Sequence, residues 1–181
     1  MTPCRLVVGV TGGIAAFKSA ALVSQLVQGG ADVTVVMTAA AGQFVGEATF
    51  AALTGHAVAT NLFDPGYPLG AHIELAQRAE LLCIAPCSAD FMRKMATGAA
   101  DDLLSTLYLC FAGPVLIAPA MNDQMWLQPA VQRNVAQLRS DGVHFVEPQA
   151  GWLSCRQTGV GRMAEPTQIL KAIESMSEAR G

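Results

Sequence analysis

The sequence predicts an α/β fold: a three-layer sandwich in which a six-stranded parallel sheet is covered by helices on both faces. Short apolar runs rich in β-branched residues alternate with longer stretches of helical periodicity. This alternation is typical of parallel strands joined by crossover helices, and it is not divided by a repeat, a charge block or a low-complexity linker. The length of 181 residues is that of one domain, so we expect residues 1–181 to form a single unit.

Six segments match the strand pattern, of which the third is the weakest. We predict strands at residues 5–10, 32–37, 57–60, 81–85, 115–118 and 144–146. Helical periodicity lies between and after them. We predict helices at residues 14–27, 40–53 with a break near Gly46, 72–78, 89–96, 102–110, 130–140 and 166–175. Gly30 and Gly142 follow two of these helices, in the position where a left-handed residue commonly ends a helix.

The composition narrows the classes of partner. Apolar residues make up 52% of the chain and charged residues 14%, which is more apolar surface than a small monomer can bury, so we expect a homo-oligomer. A net charge of −3 without a run of Lys or Arg argues against nucleic acid and favours a small-molecule partner. Polar residues interrupt the apolar stretches before they reach the length of a membrane span. The five cysteines lack zinc-site spacing, which predicts no metal and a reducing, cytoplasmic location.

Three turns that follow predicted strands have the residues of an anion-binding site. Gly12 and Gly13 join the first strand to a helix, where bare backbone amides and the helix dipole attract a phosphate. Ser88 and Asp90 follow the fourth strand, and Thr38 follows the second. Each has a structural alternative: a plain tight turn at the glycines, and helix N-caps at the other positions. Two such turns at one edge of a sheet suit a mononucleotide.

Three further segments carry side chains able to do chemistry. His72 begins a helix, where the dipole disfavours the imidazolium and keeps a base neutral, although it is equally typical of a structural histidine. Asn122 lies in an apolar segment after the fifth strand, where its amide can bind a carboxylate or simply form a turn. Cys155 lies in a glycine-punctuated segment, 151–163, of the kind that closes over active sites.

Several of these segments together resemble a known family, the homo-oligomeric flavin-containing cysteine decarboxylases. The resemblance runs in order from Arg5 to Ile169. It rests on the segments TGGIAAFK at 11–18, HIEL at 72–75, DDLLST at 101–106, PAMNDQMW at 119–126 and CRQTGVGRM at 155–163. Because five segments occur in matched order, the resemblance is far more specific than any one of them.

The resemblance implies a Rossmann-like sheet, a homotrimer or a dodecamer, and FMN bound where subunits meet. It implies that His72 is the active-site base, that Asn122 holds the substrate carboxylate and that Cys155 donates a proton. Met125, Trp152, Leu153 and Ser154 would contact the substrate. The residues expected to bind FMN are Gly12, Gly13, Ile14, Thr38, Ser88, Ala89, Asp90 and Ala120.

The implied reaction converts 4′-phospho-N-pantothenoylcysteine to 4′-phosphopantetheine and CO2 for coenzyme A synthesis. Cys155 favours this reaction over the alternative, decarboxylation of a peptidyl cysteine, because peptide-processing relatives in general lack this cysteine. A second alternative is a non-catalytic binding subunit on the same scaffold. Gln77 stands where relatives often have a basic residue that helps to bind the substrate, so the basic partner of the substrate is left open.

Overall fold

A five-stranded parallel sheet forms the centre of the protein. The computed structural model describes residues 4–152 and 156–178. The sheet has the order β2-β1-β3-β4-β5, in which the chain winds outward in both directions from β1 and β3. Such a reversal opens a crevice at the carboxyl ends of the two central strands. The sheet strands are β1 Arg5–Val10, β2 Asp32–Met37, β3 Leu81–Cys87, β4 Val115–Pro119 and β5 His144–Phe145.

The prediction of a sixth strand at residues 57–60 is wrong. Only Ala59 pairs with the sheet, through a single parallel bridge to Val36 beside β2. Its amide donates to Val35 O and its carbonyl accepts from Met37 N, both at 3.0 Å. Ala59 is the one residue of the segment that is buried, at 2% exposure. Because the neighbouring residues stay at the surface, the segment leaves the sheet edge after this one contact.

Helices cover both faces of the sheet, which confirms the three-layer α/β architecture. Leu22, Phe50 and Ile169 pack on one face from three different helices. Leu75 and Leu138 belong to the second core, on the opposite face. The helices are α1 Ala16–Gln28, α2 Glu47–Thr54, α3 Ala71–Arg78, α4 Ala89–Thr97, α5 Leu103–Cys110, α6 Asp123–Leu127, α7 Pro129–Ser140 and α8 Pro166–Glu178. Within the described ranges, no helix is long and apolar enough to cross a bilayer.

A hairpin that the sequence analysis treated as a loop completes the fold. It consists of β6 Gln149–Trp152 and β7 Thr158–Arg162, which pair in antiparallel register. Met121 N donates to Gly161 O at 2.9 Å, so β7 is tied to the segment after β4. Gly161 has a φ of 151°, and a Cβ at this position would collide with Met121 O. The hairpin is therefore held at the carboxyl edge of the sheet by a contact that requires glycine.

Candidate functional site

A cavity of about 1080 Å³ lies at the carboxyl edge of the sheet. It is formed where the chain leaves four neighbouring strands, at Thr38, Thr11, Ser88 and Ala120, and it is closed on one side by the hairpin. The cavity brings together most of the positions singled out in the sequence. These are Gly12, Gly13, Ile14, Thr38, Ser88, Ala89, Asp90, Ala120, Asn122, Met125 and Trp152.

The glycine turn after β1 combines a tight contact with an open one. A Cβ on Gly12 would lie 2.5 Å from Ala40 Cβ, so the turn packs directly on the segment after β2. A Cβ on Gly13 would meet nothing within 4 Å. The first hydrogen bond of the following helical segment runs from Ala16 N to Gly13 O. The backbone N–H groups before Ala16 therefore have no partner within the helix, and such groups commonly bind an anionic ligand.

Thr11, which the sequence analysis did not single out, joins the two predicted cofactor turns. Its hydroxyl donates to Pro86 O at 2.7 Å and accepts from Ser88 N at 3.0 Å, and the residue is 1% exposed. Ser19 adds a parallel link, because its hydroxyl donates to Ala85 O at 2.6 Å. The sequence shows these two residues only as a threonine directly after a strand and a serine inside the next helix. That pattern does not reveal the hydrogen bonds that their hydroxyls form.

Ser88 and Thr38 cap helical turns and also line the cavity, so the two functions that the sequence left as alternatives coexist. Ser88 Oγ accepts from Phe91 N at 3.2 Å as the N-cap of α4. Thr38 Oγ1 accepts from Ala41 N at 3.3 Å in the 3₁₀ turn after β2. Asp90, in the first turn of α4, forms an exposed ion pair with Arg93 at 3.0 Å.

Asn122 is held rigidly beside the apolar part of the cavity. Its Oδ1 accepts from Gln124 N at 2.9 Å, which makes Asn122 the N-cap of α6. Met125 and Trp152 line the same cavity and expose 47% and 66% of their surfaces. Ile14 and Phe17 extend this apolar surface along the glycine turn and α1. An exposed apolar rim of this kind marks a surface that binds a ligand or a protein.

Each charged side chain at the cavity wall is paired. Lys94 bridges Asp101 and Asp102, with both Nζ to carboxylate distances at 2.9 Å. Burial lowers the pKa of Lys94, but its hydrogen bonds to the two carboxylates outweigh that effect and raise the pKa above its usual value. The ammonium of Lys94 is therefore charged near neutral pH.

A second ionic cluster joins α1 to the segment after the hairpin. Lys18 Nζ lies 3.0 Å from Glu165 Oε1 and donates to Met163 O at 3.3 Å. Arg162 pairs with the same oxygen of Glu165. The hydrogen bond from Lys18 holds the pKa of the Glu165 carboxyl below its usual value, and the neighbouring positive charges act in the same direction.

Of the predicted site residues that the structure describes, His72 is the one that does not line this cavity. His72 begins the first turn of α3, next to α5, where Cys110 Sγ lies 3.6 Å from its carbonyl oxygen. The ring atom Nδ1 of His72 is buried and has no hydrogen-bond partner among the described residues. Leu153, Ser154 and Cys155 lie outside the described residues.

Two of the described cysteines, Cys83 and Cys87, are buried in the core. Burial raises the pKa of Cys83 to about 12 and raises the pKa of Cys87 further. Burial also raises the pKa of Cys110. Thiols of this kind remain protonated near neutral pH and are poor nucleophiles. The described residues also contain no cluster of three or more His, Cys, Asp or Glu side chains arranged to hold a metal.

The flavoprotein family model matches residues 1–177 of the chain. The chain belongs to the flavoprotein family. Among curated relatives of this flavoprotein, the coenzyme A biosynthesis bifunctional protein CoaBC of Bacillus subtilis is 47% identical over 166 residues. The CoaBC protein of Haemophilus influenzae is 44% identical over 170 residues. The two matches cover 91% and 93% of this chain but only 41% and 42% of the relatives, so the flavoprotein spans less than half of their length.

Solved structures with the same fold include two decarboxylases. A cysteine-to-serine mutant of a PPC decarboxylase, complexed with pantothenoylaminoethenethiol, superimposes with a TM-score of 0.89 at 29% identity. That match covers 97% of this flavoprotein and 99% of the decarboxylase chain. The FMN-dependent cysteine decarboxylase SpaF gives a TM-score of 0.80 at 36% identity, with coverage of 94% and 97%.

Replacing Thr11 with Val is expected to destabilise the flavoprotein by about 1–3 kcal/mol, because Ser88 N would lose the hydroxyl that accepts its hydrogen bond. Pro86 O would keep only the longer hydrogen bond from Thr11 N, at 3.3 Å. Thr11→Ser is the matched control, since it keeps the hydroxyl. The free energy of unfolding from urea titration measures both variants. Equal loss in the two variants would contradict a role for the hydroxyl.

Proposed function

We propose that this flavoprotein is an FMN-dependent decarboxylase that converts 4′-phospho-N-pantothenoylcysteine to 4′-phosphopantetheine in coenzyme A synthesis. The observation that carries the proposal is the single cavity in which the predicted cofactor turns face Asn122, Met125 and Trp152. Similarity to the CoaBC proteins and to the PPC decarboxylase structure supports it. The free thiols of Cys83 and Cys87 support a reducing, cytoplasmic location.

The cavity residues fit FMN. The cavity volume of about 1080 Å³ is slightly above the range of about 300–1,000 Å³ typical of ligand sites, which leaves room for a substrate beside a cofactor. The open space beside Gly13, together with the preceding amides, forms a cradle for a phosphate. Ser88, Ala89 and Ala120 present small side chains and backbone to the same space, which suits a flat ring.

The remaining side chains are proposed to prepare the substrate for loss of CO2. Bound FMN supplies a two-electron acceptor next to the substrate carbon that carries sulfur. The amide nitrogen of Asn122, oriented by the hydrogen bond that its Oδ1 accepts, is suited to hold the departing carboxylate. Cys155 returns a proton to the carbon that loses CO2. Trp152 excludes water from the same side of the cavity.

We assign the base to His72 of a neighbouring copy, in a homo-oligomer built on trimers. Within one chain His72 is not among the described residues that line the cavity. The apolar side chains of Ile14 and Phe17 at the rim are 56% and 60% exposed, and Leu69 and Ile73 are exposed beside His72. Joining two such surfaces buries apolar area on both sides and brings the imidazole of one copy to the cavity of another.

A peptidyl cysteine is the second candidate substrate. The 36% identity to SpaF, which exceeds the 29% identity to the PPC decarboxylase, favours it. The higher identity to the CoaBC relatives favours the smaller substrate.

Turnover assays distinguish these substrates. Incubation of the FMN-loaded protein with 4′-phospho-N-pantothenoylcysteine is expected to yield a product that has lost CO2 alone, as measured by mass spectrometry. A Cys155→Ser variant should instead accumulate a product that has lost CO2 and two hydrogens, because the proton donor is missing. A peptide ending in cysteine serves as the competing substrate. Conversion of the peptide alone would overturn the proposed function in favour of peptide processing.

Replacing Gly13 with Ala is expected to weaken FMN binding without lowering the stability of the FMN-free protein. The added methyl group meets no protein atom within 4 Å and therefore occupies only the space assigned to the cofactor. Gly42→Ala is the control, because its methyl group also meets nothing but lies outside the cavity lining. Fluorescence titration with FMN measures the affinity. Unchanged affinity in Gly13→Ala would contradict the assignment of the turn.

Mixing two inactive variants tests the assignment of His72 to a neighbouring copy. His72→Gln and Asn122→Ala should each be inactive alone, because every site lacks one of the two residues. Hetero-oligomers formed by co-expression in equal amounts should regain about one quarter of the wild-type activity. Half of the copies carry an intact Asn122 and half carry an intact His72, so random assembly joins the two at about a quarter of the interfaces. Absence of any recovery would show that both residues act from the same chain.

A further inference from the structure

The proposed substrate carries a terminal phosphate, and the cavity wall contains three described cations that could meet it. These are Lys18, Lys94 and Arg162. Gln77 carries no charge, and Arg78, on the helix that carries His72, is already paired with Glu74 at 2.6 Å. The choice among the three depends on how strongly each cation is held by other groups.

Lys94 and Lys18 are bound tightly within the protein. The side chain of Lys94 is 13% exposed and lies between two carboxylates, each at 2.9 Å. One of these, Asp102, also caps α5 through Ser105 N at 2.8 Å, so moving Lys94 would disturb the start of that helix. Lys18 is 12% exposed and is held by Glu165 and Met163 O.

Arg162 is held less tightly. Its side chain is 40% exposed, and it pairs with Glu165, the same carboxylate that binds Lys18. The cluster therefore has two positive charges and one negative charge. If the guanidinium turns to a ligand, Glu165 keeps its hydrogen bond to Lys18 and no carboxylate is left uncompensated.

The backbone around Arg162 is fixed next to the proposed substrate side of the cavity. The preceding residue, Gly161, accepts a hydrogen bond from Met121 N, one residue before Asn122. On the other strand of the hairpin, a Cβ on Gly151 would lie 3.2 Å from both Cδ and Nη1 of Arg162. The arginine side chain thus crosses the face of β6 next to Trp152, where the absence of a side chain at Gly151 leaves room for it.

We propose that Arg162 binds the terminal phosphate of the substrate, an inference that rests on the proposed function. A guanidinium group donates two parallel hydrogen bonds to a phosphate and is less strongly hydrated than an ammonium group. The neutral amide of Asn122 is left to bind the carboxylate. The glycine turn after β1 is left to bind the phosphate of the cofactor.

The experiment compares 4′-phospho-N-pantothenoylcysteine with its unphosphorylated form in the FMN-loaded protein. Arg162→Gln is expected to reduce the preference in kcat/KM for the phosphorylated form by about 10-fold to 100-fold, the usual weight of a hydrogen bond to a charged group. The kcat for the unphosphorylated form should change little. Arg139→Gln is the matched control, because Arg139 also forms an exposed pair, with Glu147, but does not line the cavity.

Arg162→Lys provides a second variant if Arg162→Gln fails to fold. It keeps the charge beside Glu165 but loses the two-pronged geometry, so the phosphate preference should fall several-fold. An unchanged preference in either variant overturns the inference. An equal loss for both substrates also overturns it, because it indicates a structural role.

Comparing FMN with riboflavin identifies which phosphate Arg162 meets. The ratio of their dissociation constants should be the same in Arg162→Gln and in the wild type. A collapse of that ratio assigns Arg162 to the cofactor phosphate and overturns the inference. If the wild type converts neither substrate, the proposed function itself fails and the inference falls with it.

Discussion

The buried hydroxyl of Thr11 is the contact on which the geometry of the site depends. It lies where the chain reverses its winding direction, between the ends of β1 and β3, and it bonds the turn after each strand to the other. One hydroxyl can do this because it donates one hydrogen bond and accepts another. Ser19 repeats the link one turn into α1. The two turns assigned to the cofactor are therefore spaced by hydrogen bonds inside the core.

The cavity built on this contact is apolar at its rim and charged only in compensated clusters. Two ion clusters line the cavity: Lys94 pairs with two aspartates, and Lys18 pairs with Glu165. The attraction within each pair offsets the free-energy cost of removing these charges from water. The side chains of Ile14 and Phe17 are exposed at this rim.

The parallel sheet, its order of helices and the ligand turns followed from local patterns. Strands 5–10 and 32–37 were predicted with the observed bounds, because each is a short run rich in β-branched residues. The strand prediction at 57–60 was wrong because β-propensity reflects how well a residue packs on a partly buried sheet surface. In this segment only Ala59 is buried and pairs with the sheet. The hairpin β6–β7 was missed because its strands are rich in glycine and alternate weakly.

The sequence by itself determined the α/β class, the family and the identity of most residues that line the cavity. The cavity residues could be predicted because the turns that follow parallel strands lie at the same edge of the sheet. Only the tertiary structure decided how those turns are joined through Thr11, that Lys18 meets the Glu165 that pairs with Arg162, and that His72 is not among the described residues lining the cavity of its own chain. Thr11 and Pro86 are 75 positions apart, and Lys18 and Glu165 are 147 apart. Local sequence patterns carry no information about such contacts.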